Sequence, residues 1–357
     1  MIRLRYGDVT AVRRTRPGAV ELDVVVDGVP GRALAYPDLV GEPAPGERVL
    51  LNTTAVALGL GTGGFHLVVA VPDRLPPDRE GPGHLMKARY TPLQTAVLGV
   101  DEEASPHRAA MAAATSLDGM PVVIADLHSA LPAIVVGLRT AAPAARIAYV
   151  MTDGGALPLA FSRSVAELAG AGALVGTVTT GQSFGGDLEA VTLHSGLLAA
   201  RAVLSADVAV VTQGPGNLGV GTPWGFSGVA AGDAVNAVAA LAGRPVASLR
   251  ISDADARERH RGISHHSRTA YGAVALARAA VVVPDLDEPL AGEVGQDLVT
   301  SGIAERHDVV RVPVDGLLEA LRESGFGMAT MDRGLDEDQA YFLAAAAAGR
   351  HAAQIMG

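Results

Sequence analysis

Between Arg250 and Arg268 the chain places five arginines and three histidines against three acids, Asp253, Asp255 and Glu258. Residues of these types bind charge and move protons. Arginine offers a planar fork of N–H donors that matches phosphate or carboxylate. Arg257, Arg259 and Arg261 are therefore candidate substrate contacts, although an alternating strand would not turn all three to one face. Ser264 has the character of an N-cap, and a helix is predicted over residues 264–279. That places His265 and His266 in a first turn, where the helix dipole disfavours imidazolium. A neutral imidazole can act as a general base, a hydrogen-bond donor or a metal ligand. Lys87 joins the two histidines as a candidate catalytic residue. It is the single lysine among 28 basic residues, and lysine gives up its proton far more readily than arginine.

Other polar groups recur at the ends of apolar runs. Gly214, Gly216 and Gly219 have the G-x-G-x-x-G spacing of a dinucleotide turn. The acid expected roughly 20 residues further on is out of place, since Asp233 falls in a predicted helix and Asp253 is too distant. NAD or flavin is therefore not the favoured cofactor. A nest of backbone amides around Gly214, Gly216, Asn217 and Gly219 that cradles an anion fits better. Asp153 follows another strand and could contact the same ligand. Asp126 and His128, with His194, supply oxygen and nitrogen donors suited to a divalent metal such as Zn, Mn or Fe. Gly225-Phe226-Ser227-Gly228 is one residue short of the Gly-x-Ser-x-Gly spacing of a serine-nucleophile elbow.

These groups need a scaffold. Apolar runs of strand length occur at residues 121–125, 147–151, 174–178, 208–211, 246–249, 281–283 and 309–312, with helix-length segments between most of them. Near-continuous apolar strands of this kind belong to a sheet covered on both faces. The reading is an α/β, Rossmann-like domain with a mostly parallel sheet and helices on both sides. In such a domain, ligands sit beyond the carboxyl ends of the strands. Loops 126–129, 153–155, 181–187, 214–222 and 253–267 all start there, so they are expected to converge on one pocket.

Ahead of this domain the pattern is different. Val20, Leu22, Val24 and Val26 alternate with other residues, and Asp27-Gly28 follows as a hairpin turn. Five short strands within residues 1–71 predict a small β-barrel, SH3-like or OB-like. Residues 72–83 hold four prolines and five charges and read as a linker. Residues 84–335 form the α/β domain. Residues 336–357 form a C-terminal helix with Asp336 as its N-cap.

Composition narrows the function classes. The 357 residues include no cysteine, which excludes disulfides, thiolate nucleophiles and cysteine metal sites. A net charge of -10 disfavours nucleic acid and anionic membranes as partners. The mean hydropathy is +0.28, yet no uncharged apolar run reaches the roughly 18 residues of a membrane span. Charges at Arg3, Arg5 and Asp8 stand where a signal peptide is apolar, so a cytoplasmic location is expected.

The segments His84-Leu85-Met86-Lys87-Ala88-Arg89-Tyr90-Thr91-Pro92-Leu93-Gln94, Gly214-Pro215-Gly216-Asn217-Leu218-Gly219 and Arg257-Glu258-Arg259-His260-Arg261-Gly262-Ile263-Ser264-His265-His266-Ser267 resemble those of a bacterial family, domain of unknown function 3866. The resemblance extends over nearly the whole chain and implies a bacterial protein of this length. It brings no activity, cofactor or catalytic residue. The sequence thus points to an enzyme or binding protein for a small anionic metabolite, with room for a homo-oligomer. The alternative is a non-catalytic module whose basic barrel (Arg3, Arg5, Arg13, Arg14 and Arg16) binds RNA or a protein. Aromatic residues make up 4% of the chain, too few to favour base stacking.

Overall fold

In the computed structural model, which describes residues 1–78 and 81–356, the chain divides into two compact units, Met1–Val97 and Leu98–Gly357. Arg79 and Glu80 of the expected linker lie outside the described residues, as does Gly357.

The first unit contains the expected barrel. Strands β1 (Leu4–Arg16), β2 (Ala19–Val26), β3 (Val29–Ala35), β4 (Arg48–Asn52) and β5 (Phe65–Ala70) close in the order β1-β2-β3-β5-β4. Val9, Leu22, Val24, Val49, Leu51 and Val68 fill its interior. The tight turn at Asp27-Gly28 uses positive φ at both residues, 50° and 78°. Strands β3 and β5 are parallel, so the barrel is not a simple meander. Three of its arginines already have acidic partners: Arg5 with Asp27, Arg13 with Asp23 and Arg16 with Glu21, at 3.1, 2.9 and 2.6 Å. The hairpin β6 (Leu85–Lys87) and β7 (Thr95–Val97) completes the unit. Lys87 is fully buried there, whereas a lysine retained by chance on a surface would reach water.

The second unit is built on strands β8 (Pro121–Ile124), β9 (Ile147–Thr152), β10 (Gly176–Thr180), β11 (Leu188–Ala190), β12 (Val208–Gln213) and β13 (Arg244–Ser248). A small antiparallel hairpin, β14 (Ile251–Ser252) with β15 (Gly262–Ile263), follows, and then β16 (Ala280–Pro284) and β17 (Asp308–Val312). Eight of these form one sheet in the order β11-β10-β9-β12-β8-β13-β16-β17, and every pairing in it is parallel. Each expected apolar run overlaps one of its strands. Their alternate residues face two cores. Val122, Ile124, Ala209 and Val211 pack with the helices Leu193–Ala202 and Ala230–Ala240. Val123, Tyr149, Val208 and Val210 pack with Leu131–Ala141 and Gln339–Gln354. No described helix is long and apolar enough to cross a membrane.

Two helix ends differ from expectation. The helix predicted over 264–279 is α-helical over His265–Thr269, widens to a π-turn over Ala270–Val274 and stops. Asn236 on the neighbouring helix stops it: its Nδ2 donates to the Val274 carbonyl, and its Oδ1 accepts from the Leu276 and Ala277 amides. The C-terminal helix starts at Gln339, with Asp338 rather than Asp336 at the N-cap. Asp336 is drawn instead to Arg322 at 2.8 Å, and the Asp338 carboxylate is taken by Arg333 and Ser252, so neither caps the helix with its side chain.

Candidate functional site

Adjacent strands β8 and β12 send their following chains to opposite faces of the sheet, to the helices Leu131–Ala141 and Ala230–Ala240. Such a switch opens a crevice at the carboxyl edge. Asp126 leaves β8 at this point and Gln213 ends β12, and Gln213 Nε2 donates to the Asp126 carbonyl at 2.9 Å. A small cavity beneath them is lined by Asp126, Thr152, Thr212, Gln213, Ser227 and Gly228.

Glycines let the neighbouring loops approach. A Cβ on Gly155 would lie 2.1 Å from the Gly214 carbonyl oxygen, and one on Gly214 would lie 2.1 Å from that of Ala156. Gly214 therefore serves a backbone-to-backbone contact between the loops after β9 and β12. Gly216 takes φ 86° and has open space where a Cβ would sit. Gly219 pairs with Phe226 in an isolated bridge, and the helix after this loop does not begin until Ala230. The glycine spacing thus does not deliver a helix N-terminus to a pyrophosphate as a dinucleotide turn does. Asp153 staples the next loop, accepting from the Gln182 amide at 2.8 Å.

The hairpin β14–β15 returns the arginine- and histidine-rich segment to the crevice. The Ser264 amide donates to the Arg250 carbonyl, the Arg250 amide donates to Ser267 Oγ, and Asp297 accepts from the Ile263 amide and from Arg268. The expected cap at Ser264 is present, its side chain accepting from the His266 amide. The result is a cluster in which His260, His265 and His266 each offer a ring nitrogen within 4.8 Å of the others. Phe226 stacks on His266 with ring centroids 4.0 Å apart and planes 8° from parallel.

Hydrogen bonds set the orientation of this cluster. Asn217 Oδ1 accepts from Ser227 Oγ and the Gly228 amide, which turns Asn217 Nδ2 toward His266 Nδ1 at 3.1 Å. Asp126 Oδ2 lies 3.5 Å from the same nitrogen. His260 Nδ1 is 2.7 Å from Ser264 Oγ. Three buried polar atoms around the crevice have no hydrogen-bond partner: Asp126 Oδ2, Gln213 Oε1 and His265 Nε2. Burial, aided by the charges of Arg250 and Arg257, holds His260 well below the usual imidazole range. Burial, with His266 and Arg259 nearby, lowers His265 to about 4. Both rings are therefore neutral near pH 7, able to accept a hydrogen bond or to ligate a metal.

The arginines divide differently from the expectation of three anion contacts. Arg257 grips Asp255 through Nε and Nη2, each at 2.9 Å, and buried Arg250 and half-buried Arg333 reach the same carboxylate at 3.1 and 3.2 Å. Burial opposes the charge on Asp255, but the hydrogen bonds and charge of Arg257, with Arg250, hold its pKa below the ordinary range. Arg261 donates to the Asp253 carbonyl. Arg259 is exposed, forms no ion pair among the described residues, and its charge reaches His265.

The structure does not gather Asp126, His128 and His194 into one ligand set. His128 is buried on the other core, its nitrogens 3.0 Å from Tyr149 Oη and 2.7 Å from Ser162 Oγ. Burial lowers its pKa to about 4. His194 is exposed in the first turn of Leu193–Ala202. Lys87 belongs to the other unit. Sequence reasoning passed over His260, Gln213, Phe226 and Ser227. The available signal was that His260 is the third histidine of the same segment.

A profile of the family described as "Protein of unknown function (DUF3866)" matches residues 32–349. The chain belongs to this family. No curated protein and no solved structure was found to match it.

Proposed function

We propose that this family member takes up a small anionic metabolite, a phosphate or a carboxylate, in the crevice at the carboxyl edge of its parallel sheet, as an enzyme or a binding protein. The observation that carries this reading is the set of buried, unpartnered polar atoms at the switch point: Asp126 Oδ2, Gln213 Oε1 and His265 Nε2. An unsatisfied buried polar atom costs about 1–3 kcal/mol; Asp126 Oδ2 and Gln213 Oε1 are acceptors, which a hydroxyl or ammonium group of the ligand would satisfy while its anionic group turns to Arg259. Arg259 gives the preference for an anion, because Arg250, Arg257 and Arg268 are already matched by Asp255 and Asp297. Neutral imidazoles beside it add hydrogen-bond acceptors without repelling a cationic or neutral part of the ligand. The barrel is the weaker candidate, since three of the five arginines that suggested it are neutralised in place.

Calorimetric titration of the full chain with phosphate, phosphate monoesters and di- and tricarboxylates tests the reading. At least one class should bind, and Arg259→Ala should weaken it by about tenfold, the equivalent of ~1.4 kcal/mol. Asn217→Ala should do the same through the loss of the His266 contact. A panel in which nothing binds, or binding that both variants leave unchanged, refutes it.

A further inference from the structure

We infer that His260, His265 and His266 form the ligand set of a divalent first-row transition ion of the zinc or cobalt class, held at the centre of the crevice. The inference rests on the crevice being a ligand site and says what completes it.

Three converging imidazoles with one position left open are a donor set that suits zinc-class ions. One ring nitrogen from each of the three histidines lies within 4.8 Å of the others. His260 Nδ1 and His266 Nδ1 already face Ser264 Oγ and Asn217 Nδ2. That leaves Nε2 as the atom each can offer, and in His265 it is Nε2 that is buried without a partner. Phe226 fixes the plane of the His266 ring by stacking, so little order has to be created on binding.

The second observation is Asp126. A metal-bound histidine usually donates its other ring N–H to a carboxylate, which fixes the tautomer. Asn217 Nδ2 donates to His266 Nδ1, so in the ion-free ring the proton sits on Nε2. An ion at Nε2 displaces that proton, Nδ1 becomes the protonated nitrogen, and Asn217 Nδ2, itself a donor, gives up its contact with it. The acceptor it then needs is Asp126 Oδ2, buried, unpartnered and 3.5 Å away. Asp126 is a positioning residue here, and its charge offsets that of the ion among the nearby arginines. An ion also supplies the positive charge for an anionic ligand that Arg250 and Arg257 cannot, since Asp255 already pairs with both.

The test uses the full chain stripped with a chelator and titrated with cobalt(II) in a buffer free of phosphate and carboxylates. Visible ligand-field bands should grow to saturation at one ion per chain, and zinc should displace them. His265→Ala, at the least buried of the three, should weaken binding by more than about 100-fold, beyond the range for loss of a supporting residue. Asp126→Asn should weaken it by about 10–100-fold and move the bands. His194→Ala should change nothing. Circular dichroism establishes that each variant is folded; if His265→Ala is not, His265→Gln replaces it with the same expected loss. No saturable bands, or equal binding by wild type and the His265 variant, overturns the inference. Because the titration contains no candidate anion, that result would leave the anion site to its own calorimetry. Cobalt binding without any anion binding would do the reverse.

Discussion

His128 and His265 each follow closely on a strand, β8 and β15, yet their surroundings give them opposite roles. His128 points into a core and meets Tyr149 and Ser162, while His265 turns a bare nitrogen to the crevice. The burial of His128 has a measurable consequence. Unfolded, an imidazole titrates near 6.5; folded, His128 titrates near 4. Between those values the unfolded chain binds a proton that the folded chain refuses, so its contribution to stability is present above pH 6.5 and falls as pH drops toward 4. The full loss is on the order of 3 kcal/mol. Urea unfolding of wild type and His128→Gln should show wild type ahead at pH 7 and the gap narrowing by that order near pH 4.5; a constant gap would contradict it. The same residue marks what the sequence can convey about the site. Asp126-x-His128 looks like a pair of ligands because its spacing is local, but the partners that occupy His128 lie 21 and 34 residues further on. His265 and His266 are legible through the Ser264 cap. His260 is not, because the hairpin that returns it has strands of two residues each.

At the scale of elements, the strands are readable where both faces are buried, since the pleat then leaves no polar position to break the apolar run. Strand β11 escapes because it is three residues long and includes Glu189, whose carboxylate accepts from Thr179 Oγ1 and the Gly185 amide. The placing of β12 between β9 and β8, which creates the crevice, is a non-local choice that no spacing records. Beneath the sheet, the helices Leu131–Ala141 and Gln339–Gln354 touch backbone to backbone. A Cβ on Gly349 would lie 2.1 Å from the Ile134 carbonyl oxygen, and one on Gly137 would lie 1.9 Å from that of Ala346. Neither carbonyl can swing aside as a side-chain end can. Gly349→Ala should therefore destabilise the protein by about 3 kcal/mol, the upper part of the overpacking range. Gly295→Ala, in a helix where a Cβ meets nothing within 4 Å, should be neutral or stabilising by up to about 1 kcal/mol. Urea midpoints of the two variants check this, and similar midpoints would show that the helix pair can yield.

The whole molecule is two units with separate interiors. Val9, Leu22 and Leu51 belong to a core confined to the barrel, and among the described residues the two cores that flank the parallel sheet draw none from Met1–Val97. Every side chain assigned to the ion lies in Leu98–Gly357, including Asp126 and Asn217, which orient it. The first residues of that unit are themselves tied to its sheet, the Val100 amide donating to the Glu189 carbonyl at 2.7 Å. A chain of about 260 residues exceeds the usual domain size and buries enough apolar surface to fold alone. Expressed by itself, residues 98–357 should unfold in one cooperative urea transition and bind cobalt(II) with the affinity and spectrum of the full chain. Loss of the cooperative transition would mean that the two interiors are not independent. A folded fragment without the cobalt spectrum would mean that Met1–Val97 supplies something the three imidazoles need, because nothing else would have been removed.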